Sequence, residues 1–260
     1  MKILEKIIQA KQASLAKLEE QVPVKQLEKR KLYQHTTLSL AKAILDPTKT
    51  GIIAEFKRKS PSRGVINEVS TIEEVTTGYF RSGASAISVL TDQHFFGGTT
   101  ADLIRTRELN PIPILRKDFI ISEYQVVESK AIGADAILLI AAALDKDSTL
   151  LLARLARSLW LEVLLEVHNE SELDHVNQYV NIIGVNNRDL DTFAVDPAIS
   201  MTLADKIPAG FVRISESGIA SPLTIKWLKE AGYQGFLIGE NFMRTPDPAL
   251  AFADFIKLII

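Results

Sequence analysis

The sequence predicts a (β/α)8 TIM barrel with an N-terminal helical extension, and three observations carry that prediction. From Gly51 onward, short β-branched-rich runs alternate with longer helical segments at a spacing of ~20–35 residues, the period of a βα unit. Strands alternating with helices imply a parallel sheet, and eight such units fill the length that remains. An open doubly wound sheet, the structural alternative, favours a Gly-rich turn after the first strand, and none is present. The whole length of 260 residues also suits a barrel, which commonly needs about 250.

The eight strand runs are Gly51–Phe56, Ala86–Thr91, Ile112–Arg116, Ala136–Ile140, Glu162–Glu166, Ile182–Val185, Phe211–Ser215 and Gly235–Ile238. Helical patterning fills Ser122–Ala131, Lys146–Ser158 and Pro222–Ala231. The steps Gly83-Ala84, Gly133-Ala134 and Ala231-Gly232 stand just before strands and read as helix stops without a catalytic role. Residues 1–46 differ from the rest. Ile3, Leu4, Ile7, Ile8, Leu15 and Leu18 fall at helical spacing, and Pro23 and Pro47 punctuate the region. The pattern predicts two helices, near 2–20 and 24–45. They serve either as a solvated appendage or as a lid over the barrel mouth. The expected organisation is one domain over 1–260, with 1–46 packed on the barrel.

Composition narrows the function classes. Net charge is −2 and the pI about 6.1, so nothing marks a nucleic-acid binder, and Lys57-Arg58-Lys59 with Arg63 is too short and isolated to reverse that. Lys29-Arg30-Lys31 reads as a solvated helix face. With no cysteine, disulfides, thiolate nucleophiles and Cys-based zinc sites are excluded. His35, His94, His168 and His175 show no ligand spacing, so no metal is expected. The longest apolar run, Ala136 to Leu144, is far short of the ~20 residues of a membrane span. The N-terminus has no long uncharged stretch of the secretory kind. A cytoplasmic protein without a membrane partner is the expectation.

The most informative stretch is Ile53 to Gly64. Side chains alternate along a strand, so Ile53, Glu55 and Lys57 share one face, and a core face ends in a carboxylate and an ammonium. Burying that pair is costly unless each charge is compensated. The other strands repeat the theme: Lys117 shares parity with Leu115, Glu166 with Leu164, and Asn186 and Arg188 with Gly184. Strands seven and eight run into Ser217-Gly218 and Gly239-Glu240. In a barrel these ends meet at one mouth, where active sites lie. Glycine turns there let backbone approach a phosphate, and helix-start amides point at it. Glu240 suits an anion site only with its side chain turned away. Lys57, Lys117 and Arg188 gather positive charge for a substrate with several anionic groups. Glu55 and Glu166 would keep the lysines charged or serve as bases themselves, while a lysine near other cations loses its proton more easily. Phe95-Phe96-Gly97-Gly98 after strand two offers either core packing or an aromatic wall.

These motifs resemble the indole-3-glycerol-phosphate synthase family. The resemblance rests on Ile53-Ala-Glu-Phe-Lys-Arg-Lys-Ser-Pro-Ser62, Leu90-Thr-Asp92 with Phe95-Phe96-Gly97-Gly98, and Leu115-Arg-Lys-Asp-Phe119. It continues through Leu165-Glu-Val-His168, Gly184-Val-Asn-Asn-Arg-Asp-Leu190, Ser215-Glu-Ser-Gly-Ile219 and Ile238-Gly-Glu240, in family order along essentially the whole chain. The one departure noted is Phe56, where the family often has an aliphatic residue; it should point outward. The resemblance implies closure of 1-(2-carboxyphenylamino)-1-deoxyribulose 5-phosphate to indole-3-glycerol phosphate, with loss of carbon dioxide and water and no cofactor. It makes Lys117 the general acid at the ketone oxygen. Lys57 becomes an anion-binding residue and the acid of dehydration. Glu55 and Glu166 share the roles of base and cation stabiliser, in an order left open. It assigns Asn186 to orienting the hydroxyls, and Ser60, Phe96, Phe119, Arg188 and Ser217 to substrate contact. Ser217, Gly218, Gly239 and Glu240 form the phosphate site, and Glu216 pairs with a catalytic lysine. On this reading Arg58, Lys59 and Arg63 are loop surface. The alternatives are a phosphoribosylanthranilate isomerase-like barrel and a barrel that binds a phosphorylated ligand or a partner without turnover.

Overall fold

The structure is a computed structural model that describes residues 2–259. Eight parallel strands close into a barrel: β1 (Ile52–Phe56), β2 (Ala86–Leu90), β3 (Ile114–Lys117), β4 (Ala136–Ile140), β5 (Glu162–Val167), β6 (Ile182–Asn186), β7 (Val212–Glu216) and β8 (Gly235–Ile238). The seam pairs Ile52, Ile53 and Ala54 of β1 with Phe236, Leu237 and Ile238 of β8. Alternation along each strand makes two layers. Ile53, Leu115, Leu138, Leu164, Ile214 and Leu237 fill the interior, whereas Phe56, Val89, Ile137, Leu165 and Phe236 face the helices. β3 begins later than the sequence suggests because Pro113 has no amide to give a ladder; its carbonyl still accepts from Ile87.

The helices start where side chains can cap them. Thr71, Thr99, Ser122, Asp145, Ser221 and Asp247 each accept a first-turn amide. Three turns back into strands use Gly83, Gly133 and Gly232 at φ between 89° and 92°, a conformation that glycine adopts without a Cβ penalty.

The N-terminal segment forms a clasp. Helix α1 (Ile3–Gln21) matches its expectation, but the second expected helix is broken. It consists of α2 (Val24–Leu27), a 3-10 turn at Lys31–Gln34, an extended stretch, and α3 (Leu40–Leu45). Lys29-Arg30-Lys31 accordingly lies in and beside a turn rather than on a helix face. Tertiary hydrogen bonds break the helix. The Leu38 amide donates to Asp135 Oδ1 at 2.8 Å, and the Ala41 amide and Ser39 hydroxyl donate to Glu162 at 2.8 and 2.6 Å. Beyond them Leu40 and Ile44 enter the barrel interior and close its floor. Each such buried side chain is worth roughly 1.5–3 kcal/mol. At the other end of the segment, Leu15, Leu18 and Val22 pack with Leu27 on Tyr124 and Val127.

Asp135 is the pin of the floor. It is fully buried, and it accepts from the Leu38 and Ile114 amides and the Arg107 guanidinium, with His35 Nε2 3.0 Å away. Asp135→Ala strands the Arg107 charge and two amides at once. It should lose about 3–5 kcal/mol of unfolding free energy in urea titration, with Leu40→Ala costing about 2–5 kcal/mol by the cavity it leaves.

Candidate active site

The C-terminal ends of the strands surround a cavity of about 550 Å³. A second hollow of about 620 Å³ at the opposite end has only Lys49 and Lys229 as charged lining and no carboxylate, so the chemistry lies at the mouth. All thirteen residues singled out in the sequence line the mouth cavity: Glu55, Lys57, Ser60, Phe96, Lys117, Phe119, Glu166, Asn186, Arg188, Ser217, Gly218, Gly239 and Glu240. Strand parity explains part of this convergence, since Glu55, Lys57, Lys117, Glu166 and Asn186 continue the inward rows of their strands, while Ser60, Ser217 and Glu240 lie in the loops that follow.

Both lysines sit against carboxylates. Lys57 Nζ is 2.7 Å from Glu55 Oε1. Lys117 Nζ donates to Glu166 Oε2 at 2.8 Å and lies 3.3 Å from Glu216 Oε2. Burial works against the Lys117 ammonium, but Glu166, Glu216 and Glu55 outweigh it and raise its pKa. The expectation that neighbouring cations would ease its deprotonation is therefore overturned: its nearest charges are anions. Burial likewise opposes ionisation of Glu166, yet Lys117 and then His168 hold it down to about 2. Glu216 goes the other way. Burial, with the charges of Glu166 and Glu55, outweighs Lys117 and pushes it up to about 7. Its two oxygens accept no hydrogen bond, because the Lys117 contact is off the line of donation. Gly184 makes room for this arrangement, as a Cβ there would meet Glu216 Oε1 at 2.2 Å.

Aromatic and apolar groups form one side of the cavity. Phe96 and Phe119 lie 6.0 Å apart, and Ile3, Leu4 and Ile7 of α1 face the same space. Helix α1 is thus a roof over the site. The other side is a glycine-rich turn: Ser217 and Gly218 both have positive φ, 65° and 73°, and a Cβ on Gly218 would lie 2.4 Å from Val195. Gly239 leaves room for Glu55, since its Cβ would fall 2.6 Å from Glu55 Oε1.

Two expectations about the rim need correction. Glu240 does not turn away; it accepts from Arg188 at 3.0 Å and from Arg63 at 3.2 Å, so it neutralises two cations at the mouth. Arg58 is not loop surface. Its guanidinium makes a two-pronged pair with Asp102 at 2.7 and 2.8 Å, donates to the Gly97 carbonyl, and stacks 4.8 Å above the outward-facing Phe56 ring. Lys59 reaches the His94 carbonyl at 2.6 Å, and Lys59–Ser60 pairs with Gly64–Val65 in a small hairpin. Among the described residues no group of His, Cys, Asp and Glu could hold a metal ion, and no helix is long and apolar enough to cross a membrane.

Sequence reasoning missed a buried charge network behind the site. Arg116 bonds Asp118, Glu128, Thr91 and Ser129, and Asp118 also bonds Lys11 of α1. One signal was available: Lys11 interrupts the Ile7, Leu15, Leu18 stripe at helical spacing, where an apolar residue belongs.

Comparison with known proteins gives the site its setting. The family model described as indole-3-glycerol phosphate synthase matches residues 4–255. The chain belongs to the indole-3-glycerol phosphate synthase family. The indole-3-glycerol phosphate synthase of Bacteroides thetaiotaomicron is 45% identical over 257 residues, covering 99% of this chain and 98% of that protein. That of Carboxydothermus hydrogenoformans is 41% identical, covering 95% and 97%. The fold is shared more widely. A 3-hexulose-6-phosphate synthase from Salmonella typhimurium superposes with a TM-score of 0.62 at 15% identity, covering 80% of this chain and 97% of that one. A thiamine phosphate pyrophosphorylase from Pyrococcus furiosus gives 0.60 at 13%, covering 85% and 98%.

The raised Glu216 has a consequence for the stability of this synthase-family chain. A carboxyl whose folded pKa is about 7 binds its proton more tightly folded than unfolded, where its ordinary value is 4.5. Its contribution is complete below 4.5 and is lost as pH rises through 7. Glu166, held at about 2, contributes above 4.5 and loses that contribution on acidification. The Glu216→Gln variant should therefore show a flatter loss of urea midpoint between pH 5 and 7.5 (roughly the Glu216 window) than the parent chain, with the acid limb below 4.5 retained.

Proposed function

We propose that the chain catalyses closure of 1-(2-carboxyphenylamino)-1-deoxyribulose 5-phosphate to indole-3-glycerol phosphate, releasing carbon dioxide and water, as a carboxy-lyase of tryptophan biosynthesis. Family membership supports the reaction, and one structural observation carries its assignment to this site. A partly buried ammonium, Lys117, stands among carboxylates between an aromatic wall and a glycine-containing turn. The substrate has the matching three parts: an aryl ring, a reacting ketone and a phosphate.

On this reading the aryl ring lies on the Phe96 and Phe119 side and the phosphate against Ser217, Gly218, Gly239 and the first turn at Glu240. The ring carbon that bears the carboxylate attacks the ketone carbon. As that bond forms, negative charge grows on the ketone oxygen, and Lys117 supplies the proton that turns it into a hydroxyl. Positioned charge is most valuable where charge develops. The ring nitrogen becomes a cationic iminium, which Glu166 or Glu55 stabilises. Loss of carbon dioxide returns an electron pair to the ring. Lys57 then protonates the departing hydroxyl, a carboxylate takes the proton from the adjacent carbon, and water leaves. Asn186 orients the sugar hydroxyls. Arg188 begins paired with Glu240 and is free to turn to the substrate's anionic groups. Ser60, at the loop after β1, completes the contact.

The ligand is a phosphorylated anionic small molecule, and the reading requires no cofactor, nucleic acid or membrane. It treats 1–260 as one domain in the cytoplasm, with residues 1–46 as the extension that roofs and floors it.

The assay is incubation with the carboxyphenylamino-deoxyribulose phosphate while indole fluorescence is followed. Turnover is expected, and Lys117→Ala should lower kcat by about 10²–10⁴-fold. No signal above that variant sinks the synthase reading and leaves the isomerase-like or non-catalytic barrel.

A further inference from the structure

Lys11 is out of place by every local rule. It lies in the apolar stripe of α1, with only 11% of its side chain exposed. Burial would strip its charge, but two carboxylates more than compensate and its pKa is raised. Its Nζ is 2.7 Å from Asp92 Oδ2 and 2.8 Å from Asp118 Oδ1.

Those two carboxylates are not free acceptors. Asp92 follows β2, and its other oxygen accepts the Phe95 amide at 2.7 Å, so it caps the turn that carries Phe96. Asp118 follows Lys117 at the end of β3. It accepts the Phe119 amide at 2.8 Å through the oxygen that meets Lys11, and Thr91 and Arg116 through the other. One ammonium therefore joins three things: the roof helix, the turn bearing Phe96 and the backbone bearing Phe119. Ile7 is one turn away on the same face of α1, and it lines the cavity with Ile3 and Leu4. The other links of α1 are of different kinds: the apolar packing of Leu15 and Leu18, and an exposed pair between Lys2 and Asp191. Exposed pairs hold little.

We infer that Lys11 is a positioning residue for the aryl half of the substrate. It fixes the Ile3, Leu4 and Ile7 roof against the Phe96 and Phe119 wall through its bridge to Asp92 and Asp118. The inference rests on the synthase reading above and assigns its ring-binding side a residue that never touches the ring. Lys11 does not reach the phosphate turn, so loss of the bridge loosens only one end of the cavity.

The test uses the full-length chain with Lys11→Met, and with Lys11→Met combined with Asp92→Asn. The asparagine keeps the cap on the Phe95 amide and removes the unpaired charge, so the double variant stays folded if charge imbalance unfolds the single one. KM for the substrate should rise about tenfold or more in both variants, with kcat falling less. Inhibition by 2-aminobenzoate, which mimics the aryl half, should weaken by the same factor, while inhibition by glycerol phosphate stays within about twofold. Recovery of KM in the double variant would show that Lys11 only balances charge and would overturn the inference. So would equal weakening of both inhibitors, or no change in either. If the parent chain itself shows no turnover, the synthase reading falls; the two inhibitors, followed by calorimetry, still read the bridge.

Discussion

The hydrogen-bonded seam between β8 and β1 is the constraint on which the site depends. Pairing of Ala54 with Ile238 turns an eight-stranded ribbon into a ring. Only then do side chains from positions 55 to 240 share one cavity. The seam is also one of the tight places of the site. Gly239 has no side chain because Glu55 occupies that space. The closure of the fold and the placement of a carboxylate are thus one requirement, met by one missing methyl group.

A ring of charges in a low-dielectric mouth is stable only if it is balanced internally. The balance is made in pairs: Lys57 with Glu55, Lys117 with Glu166 and Glu216, Arg188 and Arg63 with Glu240. Each cation that a phosphorylated, carboxylated ligand would meet already has an anionic partner. Glu216 stands apart as the carboxyl without a hydrogen bond: it is the third carboxyl beside the ammoniums of Lys57 and Lys117, and it holds its proton to near neutrality. Behind this ring, Arg116 and Lys11 with Asp92, Asp118 and Glu128 form a second charge cluster on the outward face of β3 and under α1.

Much of this was legible in the sequence because strands obey a period of two. Glu55, Lys57, Lys117, Glu166 and Asn186 could be placed on inward faces without coordinates, and the cavity contains all of them. What was not legible depends on partners distant in the chain. The break in 24–45 follows from Asp135 and Glu162, about a hundred residues on, which take amides that a continuous helix would have used itself. Arg58 reads as one of a basic run, yet Asp102 and Phe56 withdraw it from the surface. The carboxylates around Lys117 are legible in the sequence, but their dominance over the neighbouring cations is not, because three of them, from β1, β5 and β7, converge on it only in space. The amphipathic pattern of α1 fits an appendage as well as a lid, and the contact of Ile3, Leu4 and Ile7 with the cavity favours the lid.

The clasp has a bearing on how the molecule assembles. Residues 3–45 are tied down by the barrel: their partners are Asp92, Asp118, Tyr124, Asp135 and Glu162, and the barrel interior that receives Leu40 and Ile44. During synthesis this segment leaves the ribosome before the barrel does, and the surfaces it needs come from elements made later. Such long-range contacts are slow to form. The segment must therefore wait as an exposed amphipathic tail, and its docking at floor and roof belongs among the last events of folding. An enzyme site whose roof arrives last is completed only on chains whose barrel has already closed.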